Sequence, residues 1–204
     1  MIKNIIFDLG VVLLNIDFQK TMAAFKNLGI ENIDEIFSGY SQSGFFDDFE
    51  KGVISPEEFR EEIRKLLDSE VSDEHIDKAW NAMILDFPVE RINFIMGCRN
   101  NYRTFLLSNT NAIHFPVYNK QFQERFLIDD FSELFEKAYY SYRHGLRKPD
   151  KEIFELVIKE NSLIPEETLF IDDSPQHIAT ATSLGIKTFL FVPPATLKDA
   201  LMAQ

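Results

Sequence analysis

The chain opens on a short apolar run. Ile5, Ile6 and Phe7 follow one another without a polar interruption, too few for a helix and continuous enough for a strand buried on both faces. Residues 3–7 are therefore predicted as a strand. The period then changes. From Asp17, positioned as an N-cap, Phe18, Met22, Phe25 and Leu28 recur at helical spacing, and Gly29 is a stop signal. Asn32 is placed to cap a short helix through residue 37. Ser55, Pro56 and Glu58 make a helix start with a capping box, and Phe59, Ile63, Leu66 and Leu67 give that helix its buried face. Ser72 opens another helix carrying Ile76, Ala79, Trp80 and Met83. Between them, residues 41–52 are richer in Gly, Ser and acids, with Phe45, Phe46 and Phe49 embedded. Residues 17–86 thus read as consecutive helices with no convincing strand.

Beyond residue 87 strands and helices alternate. Residues 88–100 are helical, with Val89, Ile92, Ile95 and Met96 on one side, and 103–107 are a strand. Residues 111–126 are mixed loop and helix, 138–142 a strand, and 150–160 a helix with Ile153, Phe154, Val157 and Ile158 apolar. Strand 168–171, helix 175–184 stopped by Gly185, and strand 187–192 complete the pattern. Such alternation indicates an α/β protein with a parallel sheet. The expected organisation is a core of residues 1–16 and 87–204, with 17–86 inserted as a helical cap over the carboxyl edge of the sheet.

Composition narrows the functions. A chain of 204 residues with 45% hydrophobic content can bury a real core. Its 20 Phe are read mainly as core. A net charge of −12 repels phosphate backbones and anionic lipids, so neither nucleic acid nor a membrane surface is an expected partner. A small anionic substrate held by a local cation remains compatible. The single cysteine, Cys98, excludes an internal disulfide or a cysteine-based zinc cluster, and it reads as a small core residue. The segment MIKNIIFDLG has no signal-peptide pattern, and no stretch approaches 18 uninterrupted apolar residues, so a cytoplasmic location is expected, as a monomer or homodimer.

The chemistry gathers at the strand ends. Asp8 ends the first strand, Ser108 in LLSNTN the second, and Asp172 and Asp173 in FIDDSP the fourth. Lys148 in RKPD follows the third. In a parallel sheet these ends share one edge, where open α/β sheets bind ligands. Any one such acid is more simply a helix cap; the conjunction is what points to a site. Three clustered carboxylates repel, each pair at 4 Å by on the order of 4 kcal/mol at an effective dielectric of 20. Lys148 supplies one compensating charge and a hard divalent cation would supply two. Mg²⁺ suits this, because it binds through few carboxylates and keeps positions for water and phosphate oxygens. Ser108 adds a hydroxyl donor. These are the parts needed for phosphoryl transfer to Asp8.

FDLG after an apolar strand, then LLSNTN, RKPD and FIDDS, resembles the four motifs of the haloacid dehalogenase (HAD) superfamily, in order and over the whole chain. The resemblance implies a three-layer, Rossmann-like parallel sheet with a helical cap. It implies Asp8 as the nucleophile that forms a phosphoaspartate, with Ser108, Asn109 and Lys148 binding the phosphoryl group. Asp173 would ligate Mg²⁺ directly, Asp172 would ligate it or orient its water, and the carbonyl of Gly10 would be a further ligand. The acidic pair resembles the phosphatase branch. The longer pattern DLGVVLLNIDF is similar to a small sugar-phosphate phosphatase group that includes α-glucose-1-phosphate phosphatases. A small phosphorylated metabolite such as a hexose 1-phosphate is the implied substrate.

Gly10 departs from that pattern. Most phosphatases of the superfamily carry Asp there, whose side chain is the general acid and base; losing such a group costs about 10²–10⁴ in rate. Asp17, His114, His144 and His177 are the candidate replacements. His177 also departs, standing where many relatives have a second acid, and reads first as a pocket-covering residue. In the cap, residues 43–55 either contact the sugar or are ordinary, with the phenylalanines in the core and Glu50 solvated. Two further readings stay open: a weak or non-catalytic phosphate-binding protein, and a phosphoacceptor signalling domain, in which the acidic pair would precede the acceptor rather than follow it.

Overall fold

The computed structural model describes residues 1–30, 32–33, 44–67 and 70–203. Five parallel strands form one sheet: β1 (Asn4–Phe7), β2 (Arg103–Ser108), β3 (Lys137–Tyr140), β4 (Thr168–Asp172) and β5 (Lys187–Leu190), in spatial order β3-β2-β1-β4-β5. Phe7 aligns with both Leu106 and Ile171, so β1 lies at the centre with its apolar run fully buried. The chain winds one way from β1 through β2 to β3 and the other way through β4 to β5. The order therefore reverses between β1 and β4, and Asp8 and Asp172 end the two strands at that reversal.

Each face of the sheet is covered. On one side Ile5, Phe7, Leu106 and Ile171 pack against helices α5 (Val89–Cys98), α6 (His114–Phe126) and α10 (Leu197–Met202). On the other, Ile6, Phe105, Leu107 and Phe170 meet α8 (Lys151–Glu160) and α9 (Pro175–Ser183). Alternate strand residues feed opposite cores, as the period of two requires. This is the three-layer α/β arrangement expected.

Helices α1 (Phe18–Leu28), α2 (Phe45–Glu50), α3 (Pro56–Leu67) and α4 (Asp73–Asn81) form a separate cluster around Phe25, Phe46, Phe59, Ile76 and Trp80. The caps follow the sequence signals. Asp17 accepts from the N–H of Gln19, Ser55 and Glu58 exchange hydrogen bonds, and Gly29 takes φ +113°. The chain enters and leaves this cluster side by side, Asn15 bonding Leu85 and Asp86 across an antiparallel pair of passages.

Several boundaries differ from expectation. The predicted strand 138–142 stops at Tyr140, and Ser141–His144 form a short helix, α7. β3 is an edge strand whose last partner is Ser108, and Ser141 Oγ is instead tied to the N–H and C=O of Thr110 at 3.0 and 2.9 Å. The predicted strand 187–192 ends at Leu190, opposite the end of β4. Residues 45–50, not singled out as an element, are the helix α2. The helix proposed through residue 37 lies outside the described residues beyond Ile33.

Candidate active site

Asp8 leaves β1 with its N–H bonded to the carbonyl of Ile171, so the carboxylate is carried by two central strands. Lys148 is wholly buried, and its Nζ donates to Asp8 Oδ1 at 2.5 Å and to Asp172 Oδ2 at 2.7 Å. Asn109 holds the lysine in place through its backbone: Oδ1 accepts the Lys148 N–H at 2.9 Å and Nδ2 donates to the Lys148 carbonyl at 2.8 Å. Asp172 also accepts from the Ser174 N–H and faces His177 Nδ1 at 2.9 Å. Among the described residues the Ser108 hydroxyl, buried at the end of β2, makes only a 3.4 Å contact with the next carbonyl, so it is nearly uncommitted. The loop after Asp8 turns sharply at Val11 (φ +60°), with the Gly10 carbonyl accepting from Val12.

The carboxylates of Asp8, Asp172 and Asp173 each bring an oxygen within 4.8 Å of the others. Their three negative charges against one ammonium leave a deficit of two, and the donors are all hard oxygens. That set fits a small divalent cation. Protonation follows the surroundings. Burial raises Asp8 to about 7, with Lys148 opposing and Asp172 adding to the rise. Burial also pushes Asp172 up, but Lys148 and His177 outweigh it and hold that carboxyl well below the usual range. Asp173 is raised by burial and by Asp172. Burial works against the charge on Lys148, and the two carboxylates overcome it, so the ammonium stays protonated.

Above this cluster lies a cavity of about 380 Å³ between the sheet edge and the α1–α4 helical cluster. Gly10, Ser108 and Asn109 form its floor, Ile16, Phe46, Trp80 and Met83 its apolar wall, and Asp47, Glu50, His114 and Arg147 its polar positions. His114 stacks on Trp80 with centroids 4.8 Å apart and an interplanar angle of 14°, and its Nδ1 lies 2.9 Å from Asn81 Oδ1. Burial lowers it to about 3, so it is neutral. Arg147 pairs with Asp47 and, at 3.1 Å, with Glu50.

The structure thus brings Asp8, Lys148, Asp172 and Asp173 into one cluster and sets Gly10, Ser108 and Asn109 beside it. Among the histidines and the acid considered as replacements at position 10, Asp17 is spent on its helix cap and His144 lies against Tyr139 at 5.3 Å. Cys98 is core, with burial pushing its thiol up to about 11. The sequence reading missed Arg147 and left residues 43–55 open between contact with the sugar and an ordinary role with Glu50 solvated; Glu50 and Asp47 line the cavity. The available signal was helical spacing: Phe46, Phe49 and Glu50 stand at i, i+3 and i+4, one face of a helix.

Comparison with known proteins agrees with this geometry. A family model described as haloacid dehalogenase-like hydrolase matches residues 2–185. The chain is 36% identical over 194 residues to D-ribitol-5-phosphate phosphatase of Bacteroides thetaiotaomicron, covering 93% of this chain and 91% of that protein. The HAD family enzyme bt-2542 of the same organism, solved as a point variant in complex with magnesium and inorganic phosphate, superposes with a TM-score of 0.91 at 38% identity, over 98% of this chain and 99% of that one. A HAD-like family hydrolase of Porphyromonas gingivalis gives 0.88 at 34% identity, over 100% and 97%. With the four motifs converging as described and the family model matching residues 2–185, through the sheet and the helical cluster alike, this chain belongs to the haloacid dehalogenase-like hydrolase family.

Proposed function

We propose that the protein is a Mg²⁺-dependent phosphatase that hydrolyses a small sugar or sugar-alcohol phosphate through a phosphoaspartate on Asp8. The observation that carries this reading is the buried cluster in which Lys148 bridges Asp8 and Asp172 beside the uncommitted Ser108 hydroxyl. Asp8, Asp172, Asp173 and the Gly10 carbonyl are the groups that would hold the metal. When bound, Mg²⁺ neutralises charge on the phosphoryl oxygens and on the acids that surround it. Lys148 and Ser108 donate to the phosphoryl oxygens while Asp8 attacks phosphorus, and Asn109 keeps the lysine loop in register. The cap closes over the site and shields it from bulk water.

A cavity of this size admits one sugar-sized group, and its stacked Trp80–His114 wall offers both a flat apolar surface and a polar edge. Hexose 1-phosphates and pentitol 5-phosphates both belong to that class, and the relative named for D-ribitol 5-phosphate favours the pentitol. A signalling acceptor has no use for an enclosed substrate cavity, so the hydrolase reading is preferred.

The test is turnover of an aryl phosphate and a sugar-phosphate panel with Mg²⁺. Asp8→Asn is expected to lose at least about 10³-fold in kcat, and Lys148→Ala to raise KM while lowering kcat. Undiminished turnover in Asp8→Asn would remove Asp8 as nucleophile. No turnover by the wild type on any substrate would leave a phosphate-binding protein.

A further inference from the structure

The inference rests on the phosphatase reading and concerns the proton that Gly10 cannot supply. A Cβ at that position would press on the Ile16 δ-methyl at 3.1 Å, so a side chain there would require Ile16 to shift by a few tenths of an ångström. An alkoxide is a poor leaving group, so its departure from phosphorus calls for a proton. His177 is engaged with Asp172, and His114 is held neutral with Nδ1 on Asn81. Tyr118 also lines the cavity, and burial holds its hydroxyl well above its ordinary range, so it keeps its proton. What remains in the cavity is the acidic pair on α2. Asp47 and Glu50 share a single guanidinium, that of Arg147, and Asp47 has the closer contact. Glu50 Oε2 is shut off from solvent and makes no aligned hydrogen bond with any described residue. One guanidinium balances one carboxylate. The other carboxyl is neutral only if it carries a proton, and the more loosely held partner is Glu50, whose Oε2 meets Arg147 at 3.1 Å without hydrogen-bond alignment.

We propose that Glu50, brought to the cavity by the cap, protonates the leaving oxygen of the substrate in place of an acid at position 10. Asp8 forms its bond to phosphorus as the bond from phosphorus to the leaving oxygen breaks. The Glu50 carboxyl proton passes to that oxygen, releasing an alcohol and leaving Glu50 a carboxylate. A water molecule then attacks the phosphorus of the phosphoaspartate, gives its proton to Glu50, and displaces the Asp8 carboxylate, so inorganic phosphate departs with both residues restored. The charged groups facing Glu50 are Asp47 on its own helix and Arg147 and Lys148 from the loop before α8. Burial raises its carboxyl, Arg147 and Lys148 work against the rise, and Asp47 adds to it.

The experiment is a series of substituted aryl phosphates of rising leaving-group basicity, with kcat/KM measured for wild type and Glu50→Gln in Mg²⁺. The substrates are alike in size, so loss of a binding contact would displace the whole line. Loss of the proton donor steepens it: little change for the most acidic phenol, and about 10²-fold or more for the least acidic and for a pentitol 5-phosphate. A parallel displacement, or no change, overturns the proposal. Should Glu50→Gln not fold, the wild-type pH profile decides. A basic limb in kcat/KM for the most basic leaving group that is absent for the least basic one supports Glu50, and the same limb for both overturns it. Asp8→Asn, run alongside, separates this outcome from failure of the phosphatase reading: if it stays active the nucleophile is wrong, whatever Glu50 does.

Discussion

At the scale of single residues, neighbours decide what a side chain is free to do. His114 was one of four groups weighed as a proton donor from sequence, and its surroundings remove it from that role. Trp80 covers its face, Asn81 takes Nδ1, and burial lowers it to about 3 from an ordinary 6.5. Between those two values the unfolded chain binds a proton that the folded chain does not. The stability His114 contributes is therefore complete above about pH 6.5 and is lost as pH falls toward 3, with a slope of up to about 1.4 kcal/mol per pH unit. His114→Gln is expected to flatten the acid side of a urea-unfolding profile by close to one proton relative to wild type, and an unchanged slope would show that the imidazole protonates in place. Asp8, Ser108 and the Asp172–Asp173 pair were legible because each sits at or next to a strand end, where a short apolar run announces the position, and Lys148 because it stands in the RKPD motif of the loop that follows β3 and α7. Glu50 and Arg147 were not, because their meeting depends on how the cap lies on the core, and no local pattern encodes that.

Element boundaries follow partners rather than propensity. β3 carries strand-forming residues through Tyr142, yet it ends where β2 ends, because an edge strand has only one neighbour to bond with. The helix α2 was hidden for a related reason. Its N-cap is Gly44, which offers no side-chain signal, and it is six residues long. What fixes α2 on the core is the turn that follows it. Gly52 takes φ +67°, and a Cβ there would overlap the backbone carbonyl of Tyr142 in α7, the short helix that leads into the loop carrying Arg147 and Lys148. Gly52→Ala therefore meets both a left-handed backbone and an immovable oxygen. It is expected to cost at least about 2 kcal/mol, read as a lower urea midpoint, and to reduce kcat/KM, since α2 cannot move without drawing Asp47 and Glu50 away from Arg147. A variant as stable as wild type would mean that the cap rests on the core less closely than this contact implies.

The molecule as a whole carries a net charge of −12 and concentrates three of its carboxylates at one point, two of them buried and Asp173 partly so. Lys148 answers only one of those charges, so the folded state retains a repulsion that a divalent cation relieves. A ligand that binds the folded chain alone stabilises it by RT ln(1 + [L]/Kd), about 2.7 kcal/mol at a hundredfold excess over Kd. For a chain of this size that raises the melting temperature by roughly 5–10 °C. Mg²⁺ is thus expected to raise Tm in a saturable way, and the acidic surface to assist its capture, so the half-saturating concentration should climb with added KCl as screening shortens the reach of that field. Asp173→Asn removes one of the three acids while leaving the Lys148 bridge between Asp8 and Asp172 in place. It should melt near the metal-free wild type and respond little to Mg²⁺. An equal response in both proteins would place the cation elsewhere on the acidic surface. A response confined to the wild type, insensitive to calcium at the same concentration, would tie it to the compact oxygen set at the ends of β1 and β4, where the larger ion would need more ligands than these acids provide.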